Sequence, residues 1–139
     1  MSFIIYPQKD GKIAIIFPAD QNSSLQEIAA KDVPAGIPYK IVNGLDVDDD
    51  YFNAYEFHAG LGAEVNIEKA KALHLDKFRA ARASKLSALD VAYSIADEAG
   101  DVAKKAEIAA QKQALRDITK VQLPDNFSDL KLVWPNILN

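Results

Sequence analysis

Gly60-Leu61-Gly62-Ala63-Glu64-Val65-Asn66-Ile67-Glu68-Lys69 is the stretch where this chain changes its period. Before it, apolar residues come in short runs separated by turn residues. After it, Ala, Lys, Leu, Glu and Gln dominate, and no proline occurs between Pro38 and Pro124. Small flexible residues at such a change in composition mark a boundary. The sequence therefore predicts an α+β protein with a β-rich module over residues 1–62, then a helical hairpin with a packed C-terminal tail over 63–139.

Downstream of the boundary, Asn66 is a suitable N-cap and Glu68 sits favourably near the helix dipole's positive end. Leu75, Phe78, Arg82, Leu86, Leu89, Tyr93 and Ala96 recur every three or four residues, so they share one side of a single helix. Arg82 is the odd member of that apolar face. Gly100 can take the left-handed conformation that ends a helix, and Asp101 can cap the next one, which predicts an antiparallel hairpin. In the second arm Ile108, Leu115 and Ile118 share a face, and Ala106, Ala109 and Ala110 are expected to let the arms approach closely. Leu123-Pro124-Asp125-Asn126 should close that helix. The tail through Phe127, Leu130, Leu132, Trp134 and Ile137 should pack rather than dangle.

Upstream, Phe3-Ile4-Ile5-Tyr6 and Ile13-Ala14-Ile15-Ile16-Phe17 flank Asp10-Gly11, a strong hairpin-turn signal. Ser24-Leu25-Gln26-Glu27 has capping-box spacing, and the helix it starts must end near Lys31 or Asp32, because Pro34 disfavours helical geometry at Val33. Tyr39–Val42 and the aromatic run Tyr51–Phe57 are read as two further strands.

The 139 residues are 49% hydrophobic and 26% charged, an ordinary globular composition, although two modules of this size are each marginal unless docked on something. The net charge of −4 is uneven: residues 1–62 carry 4 basic and 9 acidic side chains, and residues 63–139 carry 12 and 11. Neither half has the basic field that binding a phosphate backbone requires, so nucleic acid is not an expected partner. The absence of cysteine excludes disulfides, thiolate metal sites and a cysteine nucleophile. No stretch approaches the roughly 20 apolar residues of a membrane span, and the expectation is a soluble chain without a secretion signal.

Catalytic patterns are missing. Asp46-Val47-Asp48-Asp49-Asp50 invites a calcium reading, but Tyr51 and Phe57 stand where the loop motif needs Gly and Glu, which leaves a solvated acidic turn. His58 and His74 lack helix-spaced ligand partners, and Ser84 and Ser87 lack nucleophile motifs. A metal-dependent hydrolase built on Asp46, Asp48 and His58 would need convergent carboxylates. The expectation is a protein without enzymatic activity or cofactor.

Gln113-Ala114-Leu115-Arg116-Asp117-Ile118-Thr119, a proline-bearing connector and Val133-Trp134-Pro135 follow in order, after Arg79-Ala80-Ala81-Arg82 with Leu86 and Asp90. This pattern resembles the phage tail assembly chaperone family. It departs from it at Val91, where such proteins commonly carry Trp, and in the Ala- and Lys-rich sequence between the helices. Glu27–Tyr39 and Ala54-Tyr55-Glu56 are similar to small N-terminal modules of phage tail proteins. The resemblance implies a non-enzymatic tail or tail-fibre assembly protein whose partner is another tail component, with homo-oligomerisation open. It implies a place in the host cytoplasm during assembly or in the virion tail, with no role for nucleic acid or membrane. A permanent virion subunit joining tail or baseplate parts remains the alternative.

Arg79, Arg82, Arg116, Asp117, Trp134 and Pro135 are the candidate partner-binding residues. Arg116 can offer a planar multi-donor contact to tail carbonyls or to a partner carboxylate, and Trp134 before Pro135 can anchor a large aromatic surface. Both also have structural readings: a helix-surface ion pair for Arg116, and a cover for the hairpin's open end for Trp134.

Overall fold

A computed structural model describes residues 1–20, 22–44 and 46–139. The chain divides into two compact units, Met1–Ala70 and Lys71–Asn139.

In the first unit, β1 (Ser2–Pro7), β2 (Ile13–Ile16) and β3 (Lys40–Asn43) form an antiparallel sheet of order β2-β1-β3. Gly11, at φ 83°, makes the expected turn, and the Gln8 amide donates to the Lys12 carbonyl at 2.7 Å. Ile4 pairs with Ile16 on one side and Ile41 on the other. These side chains meet Ala29 and Val33, with Leu25 and Ile28, on helix α1 (Leu25–Asp32) or at its end. The helix stops as expected, with Val33 extended ahead of Pro34. Ser24 occupies the N-cap, but its hydroxyl lies 3.1 Å from Gln26 Oε1 instead of closing the capping box.

The aromatic run does not form the single expected strand. Asp49–Ala54 is a 3-10 helix, and only Tyr55–His58 (β4) is extended. The cause is a local cap: the Asp48 carboxylate accepts from the Asp50 amide, and the Asp48 carbonyl accepts from the Tyr51 amide at 3.0 Å. Tyr51, Ala54 and Tyr55 are all buried, at the three-then-one spacing of a helical turn rather than alternate positions.

A fifth strand, β5 (Gly62–Val65), pairs antiparallel with β4. Ala59-Gly60-Leu61 is therefore the bend of a hairpin that Gly62 closes opposite His58, and the compact units divide after Ala70. Three contacts tie the start of the next helix to the first unit. The Asn66 amide donates to the Ala54 carbonyl at 2.8 Å, Asn66 Nδ2 donates to Glu56 Oε1 at 3.1 Å, and Lys69 pairs with Glu56 at 2.7 Å.

Helix α2 (Ile67–Glu98) begins there, with the Asn66 side chain accepting from the Lys69 amide, and its remaining turns belong to the second unit. Gly100, at φ 68°, ends it. The Asp101 amide returns to the Ala96 carbonyl, and the Asp101 carboxylate caps α3 (Val102–Asp117). The hairpin is thus formed by the expected residues. Its seam buries Phe78, Ala96, Ile108 and Leu115.

The alanines do not line this seam: Ala106, Ala109 and Ala110 are all exposed. Lys105 and Lys112 flank it instead. Each ammonium lies 5.6 Å from the Tyr93 ring centre, and they pair with Asp97 and Asp90 respectively, both at 2.5 Å. Long lysine stems cover apolar surface that alanine would leave open. Helix α3 also stops at Asp117, with one 3-10 turn at Ile118–Lys120, well before Pro124. The tail packs as expected: α4 (Phe127–Leu132), capped by Asn126, buries Leu130, and a final 3-10 turn at Asn136–Leu138 buries Leu138.

Candidate functional site

The six candidate residues lie on or beside the second unit's hairpin, and most of them have local contacts of their own. Arg79 pairs locally with Asp76, at 2.7 Å, one turn back on α2. Arg82, the odd residue of the apolar face, reaches across the hairpin. Its Nη1 donates to the carbonyls of Leu115 at 3.3 Å and Arg116 at 3.1 Å, groups that the end of α3 leaves without helical partners. The guanidinium so acts as a C-terminal cap supplied by the neighbouring helix.

Arg116 is exposed, and among the described residues its side chain makes no hydrogen bond or ion pair. The tail carbonyl contact considered for it is not formed; the helix-end carbonyls are held by Arg82. Asp117 accepts from Lys120 at 2.8 Å and from Gln113 Nε2 at 3.0 Å. The Lys120 contact first, then Gln113, holds its carboxyl below the usual range.

Trp134 sets its ring edge-on to Phe78, with centroids 5.6 Å apart, and remains 42% exposed. It is half cover and half surface, so both readings of this residue keep a physical basis. Pro135 starts the last 3-10 turn, its carbonyl accepting from the Leu138 amide at 3.0 Å.

The pattern reading missed the residue that fastens the tail. His74 is buried against Phe78, with ring centroids 4.9 Å apart, and its Nε2 lies 2.7 Å from the Val133 carbonyl, so the ring donates there. The signal was present as a histidine one helical turn before Phe78. Leu132, 81% exposed, and Trp134 border that bond on the outside of the tail. Lys71 pairs with Asp125, and the Lys85 ammonium donates to the Asn139 carbonyl at 2.9 Å, so three α2 side chains hold the segment.

In the first unit, His58 Nδ1 accepts from the Gly60 and Leu61 amides, both at 3.1 Å, and the Lys40 ammonium holds the carbonyls of Ala59 and Gly60. His58 therefore shapes the β4–β5 turn. Asp48 uses its carboxylate as a cap, and among the described residues no group of three or more His, Cys, Asp or Glu side chains is placed to hold a metal ion. Nor is any helix among them long and apolar enough to cross a membrane.

The fold and surface define a two-unit α+β protein with a capped helical hairpin and a docked tail that leaves Leu132 and Trp134 exposed. No family model matches the chain, and no curated protein or solved structure matches it either.

Proposed function

We propose that this chain is a non-enzymatic phage tail or tail-fibre assembly protein that binds another tail component and positions or shields it. The observation that carries the reading is the ordered resemblance of Arg79-Ala80-Ala81-Arg82, Ala114-Leu115-Arg116-Asp117-Ile118-Thr119 and Val133-Trp134-Pro135 to the tail assembly chaperone family. Arg116, Leu132 and Trp134 are exposed side chains of these segments that a client could meet. Apolar and guanidinium groups of this kind are typical anchors of protein interfaces.

The test is co-expression of the full chain with the tail and tail-fibre proteins encoded beside it. Stable co-purification with one of them, weakened by Arg116→Ala and by Leu132→Asp, supports the role; no association with any of them removes it. Mass spectrometry of purified particles then distinguishes a helper that leaves from a subunit that stays.

A further inference from the structure

Helix α2 carries two heptad stripes, and only one of them is used within the chain. The first, through Phe78, Arg82, Leu89 and Ala96, faces α3. The second runs through Ala81, Ser84, Ala88, Val91 and Ile95, at successive steps of three, four, three and four residues. That spacing is the signature of a helix seam that faces another helix. Ser84 and Ala88 are exposed, Val91 is 61% exposed and Ile95 62%. Isolated apolar side chains on a surface are ordinary, whereas a continuous stripe at this spacing is not.

We propose that this stripe binds the same stripe on a second copy of the chain, the two α2 helices running antiparallel about a two-fold axis between Leu89 and Asp90. The pattern is self-complementary in that orientation alone. Val91 falls opposite Ala88 of the second copy, Ile95 opposite Ser84, and Glu98 opposite Ala81, so every larger side chain meets a small one. Small residues in such layers let helix axes approach to about 8 Å. Glu98 then stands beside Lys77 of the second copy, one turn before Ala81, which sets unlike charges together. A parallel pair would stack Ile95 on Ile95 and Glu98 on Glu98, with gaps at Ala81 and Ala88.

The contact extends from Ala81 to Glu98, the last residue of α2, about 27 Å at 1.5 Å per residue. Two helices in contact over that length bury on the order of 700 Å² in total, below the roughly 1,000 Å² of a stable interface and in the range of weak, transient ones. The dimer is therefore expected to be weak and to depend on concentration. This pairing does not rest on the tail-assembly role, and either can fail without the other.

Sedimentation equilibrium of the full chain from low to high micromolar concentration should show a monomer–dimer equilibrium. Ile95→Glu should raise its dissociation constant at least about tenfold, because it sets an uncompensated charge in the contact. Ile95 points to solvent in the single chain, so helicity and the unfolding midpoint should hold. The chain has no cysteine, which permits a test of geometry that does not depend on that variant. Ala88→Cys and Val91→Cys proteins, mixed and oxidised, should give the mixed disulfide dimer faster than either forms its own. A chain that stays monomeric throughout, a dimer that Ile95→Glu leaves intact, or preferential Ala88→Cys self-cross-linking would each overturn the proposal.

Discussion

Gly62→Ala should be among the most damaging single methyl additions in the first unit. Gly62 opens β5 at φ 90°, and a Cβ there would lie 2.7 Å from Val42 Cγ1 and 3.4 Å from Ile5 Cδ1. Two costs add. Holding a non-glycine residue at this backbone angle costs about 1–2 kcal/mol. Forcing a methyl into the packed β1–β3 face costs about 1–3 kcal/mol more. Gly36→Ala isolates the first cost, since Gly36 has φ 80° and nothing within 4 Å of its Cβ position. Urea unfolding followed through the amide resonances of Ile5 and Val65 reads the first unit. Gly62→Ala should lose about 2–5 kcal/mol and Gly36→Ala about 1–2. Adding Val42→Ala to Gly62→Ala should return on the order of 1 kcal/mol of coupling. Equal losses at the two glycines, or no coupling with Val42, would refute the close approach of β5 to β3.

Arg82→Ala removes two charge-assisted bonds to the end of α3, so the hairpin should lose about 1.5–3 kcal/mol, with hydrogen exchange accelerating first in the last turn of α3; Arg82→Lys should recover only part of this, since an ammonium lacks the planar fork. Trp134→Ala should cost about 0.5–1.5 kcal/mol beyond the area it uncovers, from loss of the edge contact to Phe78. A Phe78→Ala variant, by comparison, should cost about 3–5 kcal/mol. Glu56 titrates below the usual carboxylate range, chiefly because Lys69, then Asn66, bonds its charged form. Its contribution is present above the unfolded carboxylate's pKa and is lost as pH falls through the lower folded value. Glu56→Gln should therefore flatten the acid limb of first-unit stability and leave the neutral-to-alkaline range parallel to wild type.

The start of α2 and the turn between α2 and α3 were readable because their signals are long and local, whereas the α3 alanines and the end of that helix were not. Asn66, Gly100 and Asp101 act through their own backbone neighbours, and the α2 face repeats over six turns. The β4–β5 hairpin was not readable. Gly62-Ala63-Glu64-Val65 has two small residues and no strong β pattern, so its pairing is decided by Tyr55–His58 across the bend. The aromatic weight of Tyr51 and Phe52 argued for a strand, and a single carboxylate at Asp48 outweighed it. Among the candidate site residues, Arg82 could be seen as out of place on an apolar face. Its targets could not be seen, because they are main-chain oxygens of Leu115 and Arg116, carbonyls with no side-chain signature.

The Arg82 contact also measures length. Lys105 and Lys112 are one heptad apart, as are Asp90 and Asp97, so the ion pairs alone would tolerate a hairpin slipped by a whole repeat. One Lys–Asp pair would survive, and Lys105 or Lys112 would still find an acid. Arg82 tolerates no such slip, because it reads where α3 ends rather than what repeats along it. A heptad inserted into α3 alone would leave the guanidinium facing carbonyls already committed to the helix. The salt ladder sets a family of acceptable alignments, and one arginine acts as the ruler that selects among them.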